Sequence, residues 1–370
     1  MSEATSGGAL LVNDTSAWYH YGCSCTSLGI HSELRKRWPA VRSLPIHRVA
    51  MLGELPATVE EFDDDARFAR FSSAHPDVIE CIENCEAVYI NGEGTMHGLG
   101  AQAVALLYIA YIAKRRCDRP VHMINHSCFP DGTAQFSAGP AQALYKKVYE
   151  ILDFVAVREG LSARLLGEMG IAARQSFDCL PLFLDARYDH GRKAPGDTVV
   201  IAGSVAWAGS EVVGRLGRFV EAMQKADYSV KVLVGADSLI AGDDVQFTEG
   251  LKRVLGSRFE LLAARSELEW LGAIADAALL VSGRFHHSIA AAFVDTPFVV
   301  MESNTPKIAG LLQMLESESF LSIAEADLAG ALEDRARARL ARPGQFLVPD
   351  EIKARLLGLS RNNFAGQADD

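Results

Sequence analysis

Short apolar runs alternate with longer stretches of helical spacing along the whole chain. In the first half, residues 9–13, 44–49, 87–91, 121–125 and 154–157 are apolar runs bounded by Gly, Pro, Asn or Asp, which predicts buried strands. Between them, residues 25–38, 100–116, 141–152 and 161–169 repeat apolar positions at the helical period, and Gly170 follows the last as a helix C-cap. Residues 56–67 are acidic and turn-like, and predict a loop or a variable helix. The second half repeats the pattern, with strands expected at 198–202, 230–234, 259–262, 278–281 and 298–301. Helices are expected there at 211–225, 245–255, 267–275 and 289–293. Such alternation predicts an α/β protein with parallel sheets covered by helices on both faces.

The chain has 370 residues. One hydrophobic core rarely grows past about 250–300 residues, so two domains are expected. The polar, aperiodic stretch around Asp185-Ala186-Arg187-Tyr188-Asp189-His190, between Pro181 and Pro195, reads as the linker. The expected organisation is two Rossmann-like domains facing across a cleft. Residues 1–190 form the first, on the acceptor side, and 191–330 the second, on the donor side. Residues 331–370 form a helical tail, part of a helical pattern over 324–359.

Composition narrows the class. Hydrophobic residues are 49% and charged residues 22%, which is ordinary globular usage. The formal net charge of −11 makes nucleic acid a poor partner, and an anionic substrate would need a local basic pocket. No apolar stretch approaches the roughly 20 residues that span a bilayer, so a soluble or at most peripheral protein is expected. The polar start Met1-Ser2-Glu3-Ala4 lacks a basic n-region, and the seven irregularly spaced cysteines suit a reducing cytoplasm, the expected location. Cys23-x-Cys25 near His20 has no second ligand pair at zinc-site spacing, so incidental or buried thiols are the better reading and no metal is expected.

In open α/β sheets ligands bind beyond the carboxyl ends of strands. The residues just past the expected strands are therefore the candidates. They are Asn13-Asp14, Asn91-Gly92-Glu93-Gly94-Thr95, Asn125-His126-Ser127 and Arg158-Glu159 in the first half. In the second they are Gly203-Ser204, Gly235-Ala236-Asp237, Ser282-Gly283-Arg284-Phe285-His286-His287 and Glu302-Ser303-Asn304. Turn and cap chemistry accounts for the Gly, Asn, Asp and Ser. It does not account for His126, Arg158, Arg284, His286 and His287. The G-x-G of the loop after residue 91 lacks the third glycine of a dinucleotide fingerprint, but it allows close backbone approach. Glu93 suits a sugar hydroxyl better than a phosphate. Arg284 offers a planar double donor and His286 an acid or base near neutral pH, both at an expected helix start where backbone N–H groups favour anions. Lys307 opens the next helix. His287 reads as a structural partner of His286. Trp18, Tyr19 and Trp207, near expected strand ends, suit either sugar stacking or packing.

At these residues the sequence resembles the polysaccharide pyruvyl transferase family, over roughly residues 10–315. Four ordered pieces carry the resemblance. They are the first strand with Asn13-Asp14-Thr15-Ser16 and Gly22; the loop Asn91-Gly92-Glu93-Gly94-Thr95; Val157-Arg158-Glu159-Gly160-Leu161-Ser162 with Met169-Gly170-Ile171 and Asp178; and Ser282-Gly283-Arg284-Phe285-His286 with Asp295-Thr296-Pro297 and Lys307. The resemblance implies a GT-B-like transferase that moves a pyruvyl group from phosphoenolpyruvate to a sugar or polysaccharide precursor as a ketal, releasing phosphate, without cofactor or metal. It implies catalytic roles for His286, Arg158 and Lys307. Asn13, Asp14, Asn91, Gly92, Glu93, Gly94, Arg284 and His126 are the expected substrate-binding residues. The alternative is a GT-B glycosyltransferase with a nucleotide-activated sugar donor, in which Glu93 or Asp14 is the base. Peripheral membrane association and homo-oligomerisation stay open.

Overall fold

In the computed structural model the described residues are 8–188, 196–204, 207, 210–236 and 242–365. They form two compact units. The first takes the chain up to Ala17, Thr26–Leu182 and everything from Leu357; the second takes Trp18–Cys25 and Phe183–Leu356. The chain thus enters the second unit twice. The division after Leu182 falls within the span from Pro181 to Pro195 where the boundary was expected, ahead of its polar part, and residues 189–195 lie outside the described residues. Residues 331–370, expected as a separate tail, are divided between the units at Leu357.

The first unit is built on strands β1 (Gly8–Asp14), β2 (Ala40–Pro45), β3 (Ala87–Glu93), β4 (Val121–His126), β5 (Phe154–Val157) and β6 (Arg174–Gln175), in the order β2-β1-β3-β4-β5-β6. Every pairing is parallel. Alternate residues face opposite layers. Leu10, Val12, Val88, Ile90, Val121 and Met123 join one core cluster, while Ala9, Leu11, Ala87, Tyr89 and Ile124 join another. Both faces are buried, which is why the strands read as continuous apolar runs. The helix Ala101–Arg115 is buried on all sides from Ala103 to Ala113. Each Leu or Ile buried there contributes about 1.5–3 kcal/mol.

The second unit is built on β7 (Thr198–Ala202), β8 (Ser229–Ala236), β9 (Glu260–Ala264), β10 (Leu279–Ser282) and β11 (Phe298–Val300), again all parallel, in the order β11-β10-β7-β8-β9. Val199, Ile201, Val232, Leu279 and Val281 pack with residues of the helices Ser210–Lys225, Gly242–Leu255 and Leu328–Ala341. Among the described residues no helix is long and apolar enough to cross a membrane.

Some boundaries differ from expectation, two of them for local reasons. The strand expected at 44–49 stops at Pro45, which has φ −65° and opens the short helix Ile46–Ala50. Proline brings no N–H to a ladder, and its ring angle suits a helix start. The first helix is Tyr21–Leu34 rather than 25–38; Cys23 and Ser24 already donate their amides to His20 O, at 2.9 and 3.1 Å. The expected helical pattern at 324–359 is two helices, Leu328–Ala341 and Asp350–Arg361.

Beyond the second helix the described residues pack into the first unit. Buried Asn363 accepts from Asn125 N (2.7 Å) and Ser176 Oγ (3.0 Å), and donates to Phe177 O (2.8 Å) and Ser360 O (2.9 Å). One side chain thereby satisfies backbone groups at the ends of β4 and β6 that burial would otherwise leave unpaired.

Candidate functional site

Each sheet has a point where its strand order reverses, the place beyond the carboxyl ends of the strands where open α/β sheets bind ligands. In the first unit that point lies between β1 and β3; in the second it lies between β7 and β10. The candidate residues of the sequence fall at these two edges.

At the first edge three asparagines tie neighbouring strands together. Asn13 Nδ2 donates to Asn91 O (2.6 Å), and Asn125 Nδ2 donates to Asn91 Oδ1 (2.8 Å). Asn13 and Asn125 are left-handed, with φ of 60° and 51°, a conformation that Asn tolerates better than most residues. Glu93 is also left-handed at φ 41°, and its Oε1 accepts from Thr15 Oγ1 (2.6 Å) and Asn91 Nδ2 (3.0 Å). A non-glycine residue held this way marks a backbone constrained by its surroundings. Gly92 lies against its neighbours so closely that a Cβ would stand 2.7 Å from His126 Cβ and 2.9 Å from Met96 Cγ. Gly94 contributes its carbonyl to His97 Nδ1 at 2.8 Å. The glycine loop is therefore a packed turn.

Several charged or titratable residues of this edge are buried. Asp14 Oδ2 lies 2.8 Å from His31 Nε2, and Asp14 Oδ1 accepts from Ser16 N at 2.9 Å. Burial alone would raise the Asp14 carboxyl, but the bonds from His31, Ser43 and Ser16 hold it well below the usual carboxylate range. His126 has its Nε2 2.9 Å from Tyr149 Oη; burial, with Arg158 nearby, lowers it to about 3, so the ring is neutral at pH 7. Arg158 is buried. Its Nη1 meets Asp178 Oδ2 at 2.7 Å and its Nε donates to Ser127 Oγ at 3.1 Å. Asp178 also accepts from Thr26 Oγ1 and from Leu180 N. Glu159 is the N-cap of the helix Gly160–Glu168, and Ser162 N donates to it at 3.0 Å. The unusual Arg158-Glu159 pair is thus a buried ion-pair member followed by a helix cap.

The second edge carries more accessible chemistry. Gly283 packs so tightly that a Cβ would lie 2.6 Å from Ser204 Cβ and 2.8 Å from Trp207 Cζ2. Arg284 is the N-cap of the helix Phe285–Phe293. Its guanidinium pairs with buried Asp244, and its Nη1 lies 3.2 Å from His20 Nε2. Tyr19 Oη donates to Asp244 Oδ2 (2.6 Å) and accepts from Gly235 N (3.1 Å). Burial, with Arg284 and His286 nearby, lowers the His20 ring well below its ordinary value and keeps it neutral. His286 stands in the first turn of the same helix, half-buried, with its Nδ1 3.6 Å from Cys23 Sγ. Lys307 opens the helix Lys307–Met314 after β11, the strand next to β10, and donates to Asn304 Oδ1 at 3.3 Å. Two helix N-termini, Arg284, His286 and Lys307 thus leave the same edge of adjacent strands, an arrangement suited to an anion.

His287 is structural as expected, but its partner is Trp270 rather than His286. Trp270 Nε1 donates to His287 Nε2 at 3.0 Å, and the buried ring is held neutral. Trp207 is fully buried and donates to Glu302 O at 3.1 Å, so it packs the core and offers no face to a sugar. Tyr19 is likewise buried. Asp237 lies outside the described residues.

Sequence reasoning set Cys23 and His20 aside as incidental and did not single out Asp244. The segment Trp18–Cys25 belongs to the second unit, held there by Tyr19–Asp244, by Tyr21 Oη to Ala264 O (3.3 Å) and by Ser24 Oγ to Glu267 Oε1 (2.6 Å). The only local signal was the dense run Trp18-Tyr19-His20-Tyr21-Gly22.

Two α/β units of this kind, each on a parallel sheet, define a GT-B-like fold. Solved structures agree over nearly the whole chain. A Listeria monocytogenes protein classed with the UDP-N-acetylglucosamine 2-epimerases superposes with a TM-score of 0.59 at 11% identity, covering 96% of each chain. UDP-N-acetylglucosamine 2-epimerase from Rickettsia bellii gives 0.56 at 13%, covering 96% of this chain and 95% of that one. The UDP-GlcNAc 2-epimerase of Neisseria meningitidis bound to UDP-GlcNAc gives 0.55 at 10%, covering 96% and 97%. At such identities the likeness concerns the fold alone. The sequence itself matches the polysaccharide pyruvyl transferase family over residues 12–305, and the chain belongs to that family of transferases. No curated protein matches the sequence.

Proposed function

We propose that the enzyme transfers a pyruvyl group from phosphoenolpyruvate to a sugar or polysaccharide precursor. The enol phosphate gains a proton on its methylene carbon, one sugar hydroxyl adds to the adjacent carbon, phosphate leaves, and a second hydroxyl closes the ketal. Of the two hydroxyl protons released, one balances the proton on carbon and one goes to phosphate.

The observation that carries this reading is the cationic edge of the second unit in a chain of this family. Phosphoenolpyruvate brings a carboxylate and a phosphate. Lys307 and the two helix N-termini supply complementary charge at the edge of β10 and β11, with Arg284 beside them assigned to substrate binding although its guanidinium is paired with Asp244. His286 is half-buried at a helix start and is assigned the general acid. Arg158 is assigned a positioning role, because its guanidinium is committed to Asp178 and Ser127. Asn13, Asn91 and Glu93 form the hydrogen-bonded floor of the first edge, with Gly92, Gly94 and His126 packed around it; with Asp14 they are assigned to the acceptor side.

A nucleotide-sugar donor is the second reading. It is favoured by the fold shared with the Neisseria enzyme, whose structure holds UDP-GlcNAc. Release of phosphate from phosphoenolpyruvate in the presence of sugar acceptors, against release of nucleotide from sugar nucleotides, separates the two.

A further inference from the structure

The strongest unassigned feature is a thiol against the imidazole assigned as general acid. Cys23 Sγ lies 3.6 Å from His286 Nδ1, within reach of a sulfur hydrogen bond, although the residues are 263 positions apart. Four other cysteines, Cys25, Cys85, Cys128 and Cys179, are fully enclosed, and burial pushes each thiol up. Cys23 is half-buried beside a half-buried ring. Its amide is bonded to His20 O at 2.9 Å in the first helical turn, which fixes the Cβ direction. Gly22 before it leaves no room for a side chain, since a Cβ would stand 2.3 Å from His286 Cβ. The ring is therefore seated on one residue and bonded at one nitrogen by the next.

We propose that Cys23 is the positioning residue for His286, a role that rests on the reading of His286 as the acid. A catalytic imidazole is ordinarily oriented by a third group on its far nitrogen. With sulfur against Nδ1, the proton that moves is the one on Nε2. In the imidazolium, Nδ1–H donates to sulfur and Nε2 carries the other proton. After Nε2 gives its proton to the methylene carbon, Nδ1 keeps its own, and sulfur stabilises that neutral tautomer. Nε2 is then the base that recovers a proton from the acceptor hydroxyl. Sulfur takes no covalent part.

The test joins a spectroscopic and a kinetic readout on the full chain. In protein labelled with 15N-histidine, at a pH where the ring is neutral, His286 assigned by loss in His286→Ala should report a protonated Nδ1 and an unprotonated Nε2. Cys23→Ala should shift that balance toward protonated Nε2, with the thermal midpoint little changed, and Cys23→Ser should largely restore it. In turnover, Cys23→Ala should lower kcat at least tenfold with donor KM within twofold of the parent, and Cys23→Ser should recover most of the loss. A tautomer balance unmoved in Cys23→Ala overturns the pairing, whatever the donor. A moved balance with unchanged kcat overturns its catalytic consequence. Failure of the pyruvyl reading is seen separately, as absence of phosphate release by the unaltered enzyme.

Discussion

Gly22 and His286 meet so closely that a β-carbon on the glycine would stand 2.3 Å from the β-carbon of the histidine. Real Cβ atoms do not approach so far, and the obstacle is the root of a side chain rather than its flexible end. The substitution Gly22→Ala must therefore push His286 away from its seat. A misplacement of this order at a catalytic group costs about 10²-fold in rate. We expect kcat for Gly22→Ala to fall by about that factor while the far-ultraviolet circular dichroism spectrum is retained; wild-type kcat would show that the ring is not held there.

Removing the imidazole itself should be more severe. His286→Ala should lose roughly 10²–10⁴-fold in kcat, the usual contribution of a placed general acid. Lys307→Gln should mainly raise donor KM, because an anion loses one of several cations while the acid stays in place. Steady-state kinetics on both variants distinguish these patterns, and equal effects on kcat from both would contradict the division of roles.

Arg158 should behave differently from either. Its partner Asp178 is wholly buried, so Arg158→Met strands a carboxylate inside the protein. Breaking a buried pair from one side typically costs about 3–5 kcal/mol. Denaturant unfolding should show that loss, and Asp178→Asn made on top of Arg158→Met should recover part of it. A stable Arg158→Met enzyme with a selectively raised donor KM would return Arg158 to direct contact with substrate.

Acid should weaken the first unit through its histidines. Burial lowers His126 to about 3 and His122 to about 4, against about 6.5 in an unfolded chain. Between those values the unfolded chain binds the extra protons, so stability falls as pH falls from 6.5. The slope is up to about 1.4 kcal/mol per pH unit for each histidine. The depressed Asp14 carboxyl acts lower: its contribution is fully present above about pH 4 and is lost as pH falls further. Replacing His126 by Phe should flatten the slope between pH 6.5 and 4 in urea midpoints. An unchanged slope would mean that His126 is not the group that titrates.

Much of this architecture was legible along the chain. Strands in a doubly covered sheet are apolar at every position, so residues 87–91 and 121–125 announce themselves. The polar residues that follow them mark the ligand edge. What sequence could not convey was how those polar groups are spent. Asn13, Asn91 and Glu93 look like substrate ligands in a list of strand ends, yet they bond chiefly to one another. The allocation of Trp18–Cys25 to the second unit and of Asn363 to the first depends on contacts hundreds of residues apart, which no local period encodes. Arg158 stood out as an odd residue after a strand, and only the position of Asp178 explains it.

The C-terminal segment supplies another test of that long-range order. Asn363→Ala would remove the acceptor for Asn125 N and leave buried donors and carbonyls unpaired. At about 1–3 kcal/mol for each unsatisfied group, a loss of several kcal/mol is expected, read from equilibrium unfolding followed by a probe in the first unit. A neutral substitution would mean that water enters and replaces the amide.

The proposed reaction takes phosphoenolpyruvate as donor and has His286 protonate its methylene carbon. Incubation of the enzyme with phosphoenolpyruvate and a panel of sugar acceptors, scored by inorganic phosphate, tests it directly, with His286→Ala and a set of sugar nucleotides in parallel. The account predicts acceptor-dependent phosphate release that falls at least about 10²-fold in His286→Ala. Nucleotide release from a sugar nucleotide, with no phosphate from phosphoenolpyruvate under any acceptor, would contradict it.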